Sequence, residues 1–172
     1  MNEKFTVGII VSNHFGVLNR VAGLYAKRGY NIDSLAVGET ENPKYSRMTI
    51  VSTGDEYMQS QVLRQLNKLH DVKMAVLLDK ETSVSMEQML VKLKVGGAGW
   101  EKTAISDLIN DYGGKVMDFG GDFITAEITG GPEKIEGFID AAKKIGILEL
   151  CRSGLISLVH GAQNALGIDK LN

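Results

Sequence analysis

Cysteine occurs once in the 172 residues, at Cys151, tryptophan once and proline twice. A single thiol excludes an internal disulfide and a cysteine-cluster metal site, and it fits a reducing cytoplasm. The pattern Leu148-Glu149-Leu150-Cys151 reads as core filler, with no His or Lys flanking the thiol to activate it. The formal net charge is only −2, so no excess of one sign draws the chain to nucleic acid or a membrane. No apolar run approaches the roughly 20 residues that span a bilayer. The start, Met1 to Lys4 and then an alternating segment, lacks the basic stretch and apolar core of a signal peptide. His14, His70 and His160 lie far apart, none with a second ligand three or four residues away, so no metal site is expected. G-x-S-x-G is absent and no Ser-His-Asp group suggests itself, so no catalytic residue is assigned.

What is present is ordinary globular material, 44% hydrophobic and 23% charged, enough for one medium domain or two small ones. Phe5, Val7, Ile9 and Val11 alternate as a strand. Val17, Leu18, Val21, Leu24 and Tyr25 repeat at helical spacing up to Arg28-Gly29, a cation and a C-cap glycine. Residues 32–39 and 45–52 read as strands joined at Asn42-Pro43. Met58, Val62, Leu66 and Leu69 stripe a second helix, and 72–78 is a fourth strand. After a polar linker at 79–85 the order repeats. A strand over 86–95 leads to a helix marked by Ile105, Leu108, Ile109 and Tyr112, then to a hairpin turning at Gly120-Gly121-Asp122. A helix with Pro132 in its first turn follows, and 148–151 and 155–159 are closing strands. The expected class is α+β, two ferredoxin-like βαββαβ domains in tandem over 1–79 and 85–172. Each would have helices on one sheet face only, so the other face and the edges need cover or pairing, which predicts an oligomer.

Two phosphate or nucleic-acid readings fail on residue types. GGAGWEKT, residues 96–103, puts Glu101 where a Walker A loop needs its second glycine, so it reads as a flexible strand-to-helix loop. An RNA-binding module shares the element order but needs aromatics on its central strands, and YSRMTIVS offers only Tyr45, at its start.

The stretch VSNHFGVLNRVAGLYAKRGYNI, residues 11–32, leaves a question open. The first N–H groups of its helix have no partner inside the helix. In one reading Asn13 caps the helix, Gly16 makes the bend and Asn31 follows a C-cap turn; residue types alone favour it. In the other, the N–H groups at Gly16, Val17 and Leu18 take the carboxylate of a small amphoteric ligand such as an amino acid. Amide oxygens then take its ammonium, and Val17, Leu18 or Ile32 wall its side chain.

N-x-x-G-V-L-x-R-V-x-G-L from Asn13, R-G-Y-N-I-x-S-L, S-R-M-T-I and the closing ELCRSGLISLVHG together resemble the small, regulatory subunits of acetolactate synthase (acetohydroxyacid synthase). The resemblance covers nearly the whole chain, most densely over 13–79. It implies an N-terminal ACT domain that dimerises through its sheets, and a branched-chain amino acid, most often valine, held between two protomers. Asn13, Gly16, Val17 and Leu18 of one copy and Asn31 and Ile32 of the other would form that site. It further implies that the effector inhibits, and the subunit itself activates, a catalytic large subunit in branched-chain amino acid biosynthesis. Thiamine diphosphate, FAD and magnesium would belong to that partner, with no cofactor here. His14 and Phe15 depart from the polar pair many relatives carry, and would tune effector preference. The competing expectation is a free-standing amino-acid sensor acting on another partner.

Overall fold

The computed structural model describes residues 3–97, 99–162 and 164–171. Ala98, within the glycine-rich stretch, lies outside them. The chain divides into two compact units, Met1–Val84 with Leu155–Asn172, and Ser85–Gly154. The sequence reading carried the second domain to residue 172, whereas everything from Leu155 onward groups with the first unit.

In the first unit β1 (Glu3–Ser12), α1 (Val17–Lys27), β2 (Ser34–Glu39), β3 (Tyr45–Gly54), α2 (Glu56–Leu66) and β4 (Val72–Leu78) follow the βαββαβ order. The sheet order is β2-β3-β1-β4, antiparallel throughout. Val7, Ile9, Met48 and Ile50 on the strands meet Val17, Val21, Leu24 and Tyr25 of α1 and Val62 and Leu66 of α2 in one core. Alternation on the strands and the helical stripes supply the two halves of that core. Asp55 caps α2 by accepting from the Met58 N–H at 2.8 Å. The helix ends at Leu66, and Leu69, expected in its stripe, packs on the core from the turn beyond.

The opposite face of this sheet is not left to solvent. Ile10 is 1% exposed although it points away from the helices. Leu166 covers it from the far end of the chain: a Cβ on Gly8 would stand 2.4 Å from Leu166 Cδ1. The glycine therefore opens the seat that leucine occupies. Ser34 Oγ accepts from the Leu155 N–H at 3.0 Å, the Arg47 guanidinium donates to Ser157 O at 2.7 Å, and the His160 N–H donates to Thr82 O at 2.8 Å. Strand β9 (Ile156–Val159) is thus pinned to the first unit.

The second unit repeats the topology with β5 (Ser83–Lys94), α3 (Gly99–Asp111), β6 (Lys115–Phe119), β7 (Phe123–Gly130), α4 (Pro132–Ile145) and β8 (Ile147–Arg152) in the order β6-β7-β5-β8. Met89, Val91, Leu93, Ile109, Ile128, Ile135 and Phe138 form its core. Part of the glycine-rich loop is already helical from Gly99, and the Glu101 carboxylate packs against Gly96. Cys151 is exposed, a correction to its reading as core. It lies opposite Leu90 on the sheet face away from the helices, because Val91, not Leu90, points inward. Among the described residues no helix is long and apolar enough to cross a membrane, and no cluster of three or more metal-ligating groups occurs.

Candidate functional site

Strand β1 ends at Ser12 and the chain turns through four residues before α1 starts. Gly16 is the N-cap, at φ 85°, and no side chain caps the helix. That left-handed backbone favours glycine over any residue with a Cβ. Around Gly16 nothing lies within 4 Å of where a Cβ would stand, so its front is open. The Val17 N–H reaches His14 O only at 3.5 Å and the Arg20 N–H reaches Gly16 O at 3.1 Å. Those of Leu18 and Asn19 have no acceptor among the described residues. The bend is therefore a set of free donors at the positive end of a helix dipole, which suits a carboxylate.

Asn13 does not cap the helix, contrary to the structural reading of the sequence. Its amide crosses to the β2–β3 hairpin, Nδ2 donating to Glu39 Oε2 at 3.0 Å and Pro43 O at 2.9 Å, while its N–H donates to Lys44 O at 2.8 Å. With Nδ2 engaged, Oδ1 is the atom of the amide left as an acceptor. Asn31 is similar: its amide donates to Asp33 Oδ1. Asp33 also accepts from Thr53 Oγ1 at 2.7 Å. Val17 is 3% exposed, its side chain taken up by the core. Leu18 is 45% exposed and Phe15 fully so; Ile32 is half-buried beside the core.

The bend is braced from below by a group the sequence reading missed. Asp71, buried between α2 and β4, accepts from His14 Nε2 at 3.0 Å and from the Arg20 guanidinium, and its carbonyl accepts from the Ser12 N–H at 2.8 Å. Burial works to raise the Asp71 carboxyl, but the Arg20 guanidinium and the His14 ring outweigh it and hold the pKa below the ordinary Asp value. His14 Nδ1 contacts Phe15 O at 3.1 Å, so the ring is held at both ends. No sequence signal links residue 71 to residues 14 and 20; only the return of β4 alongside β1 brings them together.

The structure brings Asn13, His14, Phe15, Gly16, Val17 and Leu18 to one end of α1 and leaves Asn31 and Ile32 beyond the other. Eleven helical residues separate them, about 16 Å of helix axis. A single free amino acid cannot touch both groups within one copy.

Two family models match the chain: an acetohydroxyacid synthase small subunit-like ACT domain over residues 7–74, and a small subunit of acetolactate synthase model over residues 86–161. A probable acetolactate synthase small subunit from Archaeoglobus fulgidus is 39% identical over 158 residues, covering 92% of this chain and 98% of its own length. The acetolactate synthase small subunit of Mycolicibacterium smegmatis is 38% identical, with 91% of each chain covered. The crystal structure of the acetolactate synthase small subunit from Thermotoga maritima superposes with a TM-score of 0.85 at 32% identity, over 94% of this chain and 99% of that one. The element order and these likenesses agree, and the chain belongs to the acetolactate synthase small subunit family, with an ACT domain at its N-terminus.

Proposed function

We propose that the protein is a non-catalytic regulatory subunit that activates an acetolactate synthase large subunit and confers feedback inhibition by a branched-chain amino acid, valine being the first candidate. The observation that carries this reading is the uncapped start of α1, with free N–H groups in front of an unobstructed Gly16. The effector carboxylate docks on those donors, its ammonium on the Asn13 oxygen, and Leu18 takes part of its side chain. Asn31 and Ile32 of a second copy complete the site, because the helix holds their counterparts too far off in the same copy. The two copies join through their ACT sheets, where β2 is an edge strand with Val37 45% exposed. His14 and Phe15 border the pocket and tune which side chain is preferred.

A ligand shared by two copies stabilises the arrangement that binds it best. If the large subunit is activated by a different arrangement, effector and partner oppose each other reciprocally. The subunit supplies no cofactor; thiamine diphosphate, FAD and magnesium act in the large subunit. The test is reconstitution with the large subunit, measuring rate with and without valine, leucine and isoleucine. Stimulation on mixing and inhibition by at least one of the three is expected. No stimulation, together with recovery of a different partner in a pull-down, would instead favour a free-standing amino-acid sensor.

A further inference from the structure

On the face of the first sheet away from the helices, a cavity of about 410 Å³ lies between β1, the β2–β3 hairpin and the C-terminal segment. All of its lining residues belong to the first unit. Arg47 enters it from β3, level with Ile10 on β1 and Gly38 on β2. Gly38 has no side chain to fill that flank. One guanidinium N–H clamps the Ser157 carbonyl at 2.7 Å. Among the described residues no carboxylate pairs with Arg47. Burial already opposes its charge and lowers its pKa. A half-buried cation with four further donors and no carboxylate in contact is costly unless an anion joins it.

We propose that this cavity binds a small organic monocarboxylate, its carboxylate gripped by the Arg47 guanidinium. The fork geometry of arginine matches a carboxylate in a bidentate way. Ile10, Leu158 and Leu166 give a short hydrocarbon chain an apolar wall. Glu41 and Asp169 also line the cavity, and neither pairs with Arg47. Two carboxylates on the wall repel a second negative charge on the ligand, so a monoanion is preferred to phosphate. The volume falls within the range of small-molecule sites. The site is separate from the open bend at Gly16, which lies on the helix side of the sheet.

The experiment is calorimetric titration of isobutyrate, and separately of inorganic phosphate, into the full-length chain near neutral pH. Saturable isobutyrate binding with Kd of about 1 mM is expected for so small a ligand, with phosphate weaker. Arg47→Met weakens it by about tenfold or more, and Arg47→Lys, which keeps the charge, by less. Glu41→Gln, a change at an exposed hairpin residue, tightens it about threefold by removing one repelling charge. That response separates a binding role for Arg47 from its clamp on Ser157, and it decides the matter should Arg47→Met not fold. Gly16→Asp leaves isobutyrate binding intact. Absence of saturable isobutyrate binding, unchanged affinity in a folded Arg47→Met, tighter binding of phosphate, no response to Glu41→Gln, or loss of binding in Gly16→Asp would each overturn the proposal.

Discussion

Gly16 meets two demands that one residue rarely meets together. Its φ of 85° asks for glycine on conformational grounds, and the space before it must stay clear for a ligand. Gly16→Asp sets these against each other. The left-handed backbone costs a side-chain-bearing residue about 1–2 kcal/mol, and Asp sits near the low end. Nothing stands within 4 Å of the new Cβ, so the fold survives. The new carboxylate occupies and repels the ligand's own. Valine inhibition is expected to vanish in an inhibition titration while a urea melt shifts only slightly; full retained sensitivity would remove the effector from this bend. Asp71 gives a second prediction at this scale. Its pKa is lower folded than unfolded, so its contribution is present at neutral pH and is lost as pH falls through its lowered titration range. Asp71→Asn should therefore lower stability at neutral pH and narrow its gap to wild type in acid. Parallel stability curves from neutral pH into acid would assign the acid sensitivity elsewhere.

At the scale of the element, the ELCRSG stretch that carries part of the family likeness turns out to be structural. Arg152 at the end of β8 pairs through two nitrogens with Glu87 of β5, which is 4% exposed, and reaches Glu136 of α4 at 2.7 Å. Ser153 and Gln88 exchange hydrogen bonds, Ser153 N–H to Gln88 O at 2.9 Å and Gln88 N–H to Ser153 Oγ at 3.0 Å. Arg152→Met leaves a buried carboxylate uncompensated, and about 2–4 kcal/mol should be lost from the second unit, read by denaturant unfolding. Arg152→Lys restores part of it, since it keeps charge but not the fork. A loss within a few tenths of a kcal/mol would show that Glu87 finds water instead. Strands and helices themselves were legible in the sequence because their signals are local. The strand over 72–78 and the Pro132 helix are found where alternation and the proline start put them. Boundaries moved where a partner strand, not local pattern, decided: β5 begins at Ser83, inside the expected linker, and β2 only at Ser34.

At the scale of the whole molecule, the first unit is built from two separate stretches of chain. The C-terminal segment belongs to the first unit, where Leu166 fills the seat over Gly8 and covers the face bearing Ile10. A fragment ending at Val84 would expose that face. It is expected to bind a hydrophobic dye and aggregate, and a peptide of residues 155–172 should restore it. A fragment that stays monomeric and dye-silent would mean the tail is dispensable cover.

What the chain's own order of residues determined was the kind of each element, their βαββαβ succession, the glycine bend before α1 and the family. All of these rest on periodicity, turn chemistry or contiguous motif within a few dozen residues. Only the tertiary structure decided that Asn13 grips a hairpin instead of capping its helix, that Asp71 braces His14 and Arg20, that Cys151 faces outward and that the tail returns to Gly8. Each of these depends on packing set by strand register or chain return, between groups 26 to 57 residues apart for Asn13, His14 and Arg20 and further apart for Cys151 and the tail. Local propensity carries no information about such partners, because contact energy at that separation is set by where the sheet closes and not by neighbouring residues.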